Sequence, residues 1–466
     1  MQGIDWIESL RLVENKRILF LVDGEHYPPV VQWTLDRFRA LNAEIGGMIL
    51  LGGTEKIESG APGLHSTRED YPVYAGGESL EDVLPEISRM LAEESPDLVI
   101  DLSDAPVVSS SDRFHIASRV LSAGIPYLGS DFLFKPPAAE KSLPFPSIGI
   151  IGTGKRVGKT AVSVTMARVL HDSGVRPAIV AMGRGGPAEP DLITPDQIEA
   201  TSEYLLDIAA KGVHAASDYW EDAVLAQVPT VGCRRCGGGM AGNPMTSNVL
   251  EGVNKLDGLD IDVVLMEGSG PTIPPVKCDV TLLVVSADAP PEDALEYLGE
   301  FRVRRADAAV VTFCEEPMAN KETIDGLVEG LRAINPGLTI AQTIFRPEPL
   351  GAIAGKKVYL TTTSKPQGVA GILEYLEKQY ACHVVGYSTN LSDRDTLRND
   401  LEENLHRADL LLTEIKAAGI DVAAGMARNQ QKSIVFLQNR PVLTGGDTDD
   451  LNRLILSLFR RAESES

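Results

Sequence analysis

The chain is poor in cysteine: five in 466 residues, of which only Cys233 and Cys236 stand close together. That excludes a disulfide framework and points to a reducing, cytoplasmic compartment. It also lacks the run of about eighteen apolar residues that a membrane span needs. Its start, MQGIDWIESLRLVENKR, holds acidic residues and no apolar core, so no signal peptide is expected. Positive charge is scarce as well. The net charge of −23 argues against a general nucleic-acid binder, so neither nucleic acid nor membrane is an expected partner. Internal repeats and low-complexity tracts are absent. An acidic protein that binds an anion must concentrate its few positive charges at the site, which makes the basic clusters informative.

What is present reads as ordinary globular protein, with 43% hydrophobic and 23% charged residues. The length suggests about three domains. Two proline-rich stretches, Lys135 to Ser147 and Phe345 to Gly351, read as extended, exposed linkers. The expected division is therefore 1–143, 144–350 and 351–466. Each part alternates buried-strand runs with helical patterns. The first has RILFLVD, GGMILLGG and DLVIDLS; the second SIGIIG, RPAIVAMG, DVVLMEGSG, VTLLVVSAD and AAVVTF; the third KKVYLTTT, HVVGYST, ADLLLTE and KSIVFLQN. Such alternation predicts an α/β fold: a central P-loop domain with a mostly parallel sheet, flanked by N-terminal and C-terminal α/β domains. The acidic tail RRAESES is expected to fray.

The strongest motif is Gly152-Thr153-Gly154-Lys155-Arg156-Val157-Gly158-Lys159-Thr160, between a predicted strand and a predicted helix. Glycines let backbone N–H groups turn toward phosphates, and the helix N-terminus adds positive potential. Nucleotide contacts are assigned to Gly154, Lys155, Arg156, Val157, Gly158, Lys159 and Thr160. Lys159 is expected to reach the β- and γ-phosphates of ATP, and the Thr160 hydroxyl to ligate Mg²⁺. The loop departs from the usual pattern in having Thr153 where a glycine is common, and it resembles the GT-x-x-x-VGKT loop of dethiobiotin synthetases. In that group a second lysine early in the loop contacts phosphate, and Lys155 lies near its place. A strand ending in Glu267-Gly268-Ser269-Gly270 resembles the same group, and Glu267 is a second Mg²⁺ candidate. Asp218 is a third.

Two further loops suit anions: Gly183-Arg184-Gly185-Gly186-Pro187 after a strand, and Cys233-Arg234-Arg235-Cys236-Gly237-Gly238-Gly239. Arginine offers a planar fork for phosphate, and adjacent glycines permit close approach. Arg184, Gly185, Arg234, Arg235, Gly237 and Gly238 are therefore candidates for a phosphorylated small substrate. The Cys-x-x-Cys pair lacks the further ligands a zinc site needs. In the first part, Glu25 and His26 follow a parallel strand where such sheets bind ligands, and join the substrate candidates. Thr361 to Lys365 and Glu414 to Lys416 read as structural.

DGEHYPPV, GTGKRVGKT, GRGGP, CRRCGGG and EGSG, taken together, resemble cyclic 2,3-diphosphoglycerate synthetases along the whole chain. The resemblance implies use of ATP and Mg²⁺ to close 2,3-bisphosphoglycerate into a cyclic phosphoanhydride, with ADP and phosphate released. Lys159, Lys155, Arg234 and Arg235 then become the catalytic candidates, the small anionic substrate the partner, and a homodimer a compatible assembly. The alternatives are another ATP-dependent cyclo-ligase of dethiobiotin synthetase type, or a nucleotide-switch metallochaperone. The switch would need a base-reading Asn-Lys-x-Asp loop, which Cys314-Glu315-Glu316-Pro317 after AAVVTF does not supply.

Overall fold

The computed structural model describes residues 11–52, 71–75, 77, 79–137, 143–199, 201–211 and 217–466. The chain divides into two compact units, Met1–Ala138 with Glu292–Arg305, and Ala139–Pro291 with Ala306–Ser466.

The first unit is a six-stranded sheet in the order β3-β2-β1-β4-β5-β6. Its strands are β1 (Arg17–Val22), β2 (Glu44–Leu50), β3 (Val73–Ala75), β4 (Leu98–Asp101), β5 (Tyr127–Leu128) and β6 (Leu133–Phe134). All neighbours are parallel except β5 and β6. The sequence RILFLV is buried from Ile18 onward, as a central strand covered on both faces must be. Helix α1 (Pro28–Ala40) starts with proline in its first turn; α2 (Leu80–Glu94) is capped by the Ser79 side chain, and α3 (Ser110–Ser122) by a reciprocal Ser109–Asp112 box. Strand order reverses between β1 and β4, which opens a crevice at their C-terminal ends. Glu292–Arg305 also belongs to this unit, which no local pattern in the chain signals. It is held there by His115 Nδ1 on Glu300 at 2.5 Å and by Ser118 Oγ donating to the Tyr297 carbonyl at 3.0 Å.

The second unit is built on a thirteen-stranded sheet, in the order β11-β10-β8-β12-β7-β13-β14-β15-β19-β18-β16-β17, with β9 beside β10. The ranges are β7 (Ser147–Gly152), β8 (Pro177–Gly183), β9 (Asp191–Ile193), β10 (Thr230–Cys236), β11 (Thr246–Ser247), β12 (Val263–Glu267), β13 (Val280–Ser286), β14 (Ala308–Thr312), β15 (Thr339–Pro349), β16 (Lys357–Thr361), β17 (His383–Ser388), β18 (Leu410–Glu414) and β19 (Ser433–Gly446). The core from β10 to β15 is parallel, as expected for a P-loop fold.

Two expectations need correction here. Phe345 to Gly351 is not a linker, because β15 runs through it to Pro349 and pairs antiparallel with β19. Its prolines are tolerated because β14 pairs only with Thr339–Gln342; beyond that point β15 has a neighbour on one side, and a missing N–H can face away. The tail is not frayed: the last helix, Leu451–Glu465, includes most of RRAESES, with Ala462 buried and Arg461 paired to Asp307. Of Lys135 to Ser147, residues 138–142 lie outside the described residues; Leu143 and Phe145 pack against a hydrophobic cluster.

Candidate active site

The glycine-rich loop joins β7 to helix α4 (Lys159–Asp172) at the carboxyl edge of the sheet. Gly158 has φ of 98°, and a Cβ there would lie 2.4 Å from the Phe345 ring, so only glycine fits. The loop is further fixed by Thr312 Oγ1 donating to the Val157 carbonyl at 2.8 Å and by Arg156 donating to Ser392 Oγ at 2.8 Å. Lys159 is 7% exposed, and its ammonium donates to the Gly154 carbonyl at 3.0 Å, folded back over its own loop. Lys155 is exposed.

Beside the loop, the Thr160 hydroxyl donates to Glu267 Oε1 at 2.9 Å. Glu267 ends β12, and its other oxygen is buried. Helix α5 (Asp218–Ala226) closes this side and carries Asp218, Glu221 and Asp222. Asp222 is fully buried against Glu267; no N–H or O–H group among the described residues donates to its oxygens, and the two carboxyl groups are placed to share a hydrogen bond through a proton. Burial, then the Asp218 charge, pushes Glu267 up to about 7. Burial and then Glu267 push Asp222 well above the usual carboxylate range. Burial lowers Lys159 to about 8, opposed by Glu267 and Asp218. A buried carboxyl pair next to a threonine hydroxyl forms a donor set that suits a hard cation such as Mg²⁺. Among the described residues no three His, Cys, Asp or Glu side chains converge as a complete metal centre. That fits a cation which takes its other ligands from phosphates and water.

The arginine loops meet at the neighbouring edge. Arg235 donates to the Gly237 carbonyl at 2.7 Å and the Ser269 carbonyl at 3.0 Å, while its Nε is buried without a partner. Arg234 donates to the carbonyls of Pro187 at 2.7 Å and Gly186 at 3.3 Å, tying the two loops together. A Cβ on Gly186 would lie 2.0 Å from the Cys233 carbonyl, so this contact requires glycine. Asn248 completes the joint: its Oδ1 accepts from the Arg234 backbone N–H at 2.7 Å and its Nδ2 donates to the Ala188 carbonyl at 3.1 Å. A Cβ built on Gly270 would stand 3.7 Å from the Arg184 guanidinium and 4.0 Å from that of Arg235, so the two forks converge over the Glu-Gly-Ser-Gly turn. Burial, then Arg184, lowers the Arg235 pKa. No carboxylate among the described residues lies within ion-pair distance of Arg184, Arg234 or Arg235. Together with Cys236, Thr246 and Ser247 they line a groove of about 490 Å³.

The structure thus gathers Lys159, Thr160, Glu267, Asp218 and the three arginines on one sheet edge. Gly185, Gly237 and Gly238 lie in the same loops. Glu25 and His26 belong to the other unit, where buried Asp23 Oδ1 accepts from both their backbone N–H groups and from His26 Nδ1 at 2.7 Å. Sequence reasoning missed Glu221, Asp222, Asn248 and Lys416. The first two had a legible signal: Asp218, Glu221 and Asp222 stand at i, i+3 and i+4, one acidic face on an otherwise apolar helix.

Comparison with known proteins identifies the family. Family models described as the P-loop, N-terminal and C-terminal domains of cyclic 2,3-diphosphoglycerate synthetase match residues 147–344, 17–135 and 349–440. The cyclic 2,3-diphosphoglycerate synthetase of Methanothermus fervidus is 43% identical over 450 residues, covering 96% of this chain and 98% of its own. That of Rubrobacter xylanophilus is 44% identical over 437 residues, covering 92% and 95%. Among solved structures, LpxK from Aquifex aeolicus in complex with ATP aligns over 68% of this chain and 90% of its own, with 15% identity and a TM-score of 0.39. With all three domains and nearly the full length matched, the chain belongs to the cyclic 2,3-diphosphoglycerate synthetase family.

Proposed function

We propose that this enzyme uses ATP and Mg²⁺ to cyclise 2,3-bisphosphoglycerate, releasing ADP and phosphate. The observation that carries the reading is the adjoining of a phosphate loop with a buried lysine and a groove whose arginines have no carboxylate partner among the described residues. A substrate with two phosphates and a carboxylate fits such a groove.

An oxygen of one substrate phosphate takes the γ-phosphoryl group; the bond to the β-bridging oxygen breaks and ADP leaves. An oxygen of the other substrate phosphate then attacks the phosphorus of the activated phosphate. The ring closes, and the former γ-phosphoryl group departs as inorganic phosphate. Phosphate oxygens are already ionised, so no side-chain base is needed. Lys159 stabilises charge on the transferred group, with Lys155 near the same loop, and Arg184, Arg234 and Arg235 hold two mutually repelling phosphates together. Thr160, Glu267 and Asp218 would hold Mg²⁺, which supplies charge neutralisation between phosphate oxygens. Glu25 and His26 remain the candidate substrate contacts of the N-terminal unit. All five cysteines are free, which suits the cytoplasm.

The test is ADP release in the presence of 2,3-bisphosphoglycerate, ATP and Mg²⁺, with phosphorus NMR of the product. A cyclic phosphoanhydride formed one-for-one with ADP is the expected result. ADP release without that product would turn the reading toward another cyclo-ligase.

A further inference from the structure

The third part of the chain reaches this site through Lys416. Lys416 stands two residues beyond β18, at the carboxyl edge where parallel strands present ligand-binding groups. Its ammonium lies 3.8 Å from Glu414 Oε2 and 3.6 Å from Glu221 Oε1 on α5.

The two partners differ in kind. Glu414 is immobilised: it accepts from Thr362 Oγ1 at 3.0 Å, Thr363 N–H at 3.0 Å, Thr363 Oγ1 at 2.8 Å and Asn439 Nδ2 at 2.8 Å. Glu221 is buried, and among the described residues Lys416 is its one ion-pair partner. At the start of helix α5 the Ser217 carbonyl accepts from the Trp220 and Glu221 N–H groups, and its side chain makes no capping hydrogen bond among the described residues. A third of the Lys416 side chain, 33%, remains accessible, while its ammonium sits between the two buried carboxylates.

We propose that Lys416 is a positioning residue of the phosphoryl-transfer site: braced by Glu414, it holds Glu221, and with it the helix that carries Asp218 and Asp222 beside Lys159 and Glu267. This rests on the magnesium–nucleotide reading of that site. The charge balance is uneven: burial keeps Glu221 above the usual carboxylate range in spite of Lys416, whereas on Lys416 burial is outweighed by Glu221 and then Glu414, with Asp218 acting in the same sense, so the geometry of the contact carries the proposal. Asp218 thus acts on Lys159 and Lys416 alike.

The experiment compares the full-length protein with Lys416→Met, Lys416→Arg, Glu221→Gln and the Glu221→Gln/Lys416→Met double variant. Affinity for ADP is measured by calorimetry with and without Mg²⁺ and without substrate, so the readout does not depend on which reaction is catalysed. In the wild type Mg²⁺ is expected to tighten ADP binding. Lys416→Met should cut that gain about tenfold while magnesium-free affinity stays within about threefold, and the double variant should be no worse than Lys416→Met, since paired residues act as a unit. Lys416→Arg keeps the charge and should recover most of the gain. An unchanged magnesium gain in Lys416→Met, additive losses in the double variant, or failure of arginine to rescue a protein that melts normally would overturn the proposal. If Lys416→Met does not fold, Lys416→Arg and Glu221→Gln decide it by the same readout: a kept gain in the first and a lost gain in the second support it, and any other pattern overturns it. A wild type without any magnesium gain would remove the underlying metal reading instead, and the proposal with it.

Discussion

Asp23 at the end of β1 and Glu267 at the end of β12 occupy the same place in two parallel sheets, yet their surroundings are opposite. Asp23 is saturated: backbone N–H groups of Glu25, His26 and Asp104 and the His26 ring occupy both oxygens. Glu267 accepts the Thr160 hydroxyl on one oxygen and turns toward Asp222, so two buried carboxyl groups share one dry site and burial raises the pKa of both. Two buried carboxyl groups side by side favour a shared proton until a cation displaces it. Asp23 shapes two loops; Glu267, under the reading proposed above, faces a cation that arrives with the nucleotide. Glu414, clamped by threonines and Asn439, belongs with Asp23 in this respect.

The largest effect that would sharpen the contrast is expected at Lys159. Replacement by alanine removes the cation from the transferred phosphoryl group and should lower kcat by about a thousandfold or more, since such electrostatic contacts dominate catalysis of this type. Thermal melting should stay near wild type. Near-normal turnover in a folded protein would remove the phosphate-loop assignment.

Glu267→Gln comes next. It should raise the Mg²⁺ concentration for half-maximal activity about tenfold or more, through loss of an anionic ligand. It also has a pH signature. Glu267 is raised from 4.5 to about 7, so the ligand-free folded protein keeps a proton that the unfolded chain releases. Stability therefore falls as pH rises from 4.5 to about 7, and the glutamine variant should show a shallower fall in a series of urea melts. An unchanged slope and an unchanged magnesium requirement would place Glu267 with Asp23 as a structural group.

Arg184→Ala and Arg235→Ala each remove a charge-assisted contact worth roughly 1.5–3 kcal/mol, or about a ten- to hundredfold loss in kcat/KM for bisphosphoglycerate. ATP affinity measured without substrate should change little. Lysine should restore activity only in part, because it keeps the charge and loses the fork. Arg234→Ala should add a fall in melting temperature, since Arg234 also ties its loop to Gly186 and Pro187. Equal loss of ATP binding would move these arginines to the nucleotide.

The smallest effect on nucleotide is expected for Asp23→Asn. Loss of a buried charge-assisted acceptor should cost about 1–3 kcal/mol of stability. ADP affinity should remain within about twofold, a difference of a few tenths of a kcal/mol. A changed magnesium requirement here would erase the distinction between the two strand ends.

What could be read from the sequence follows from distance along the chain. The phosphate loop needs nine consecutive residues in strand–turn–helix context, and all are visible at once. Glu267 was legible because an apolar run ended in a carboxylate and glycines. Lys416 was not, because its partner Glu221 is far away in sequence and nothing local marks the pairing. Glu292–Arg305 looked like part of the central domain because the strands on either side of it pair with each other as β13 and β14. Phe345 to Gly351 was misread because prolines signal a linker unless the strand has a free side, and that depends on β19, nearly a hundred residues later.

Strand β19 carries a consequence for how the protein is made. It pairs parallel with β18 through its first residues and antiparallel with β15 through the rest, and the helix after it, Leu451–Glu465, packs its buried leucines into the same hydrophobic cluster as α4. The nucleotide core is thus completed by residues that are synthesised long after the phosphate loop. A nascent polypeptide that has finished the phosphate loop still exposes one side of its supporting helix, and must wait through some three hundred further residues, at about 5–20 residues per second, before that side is covered.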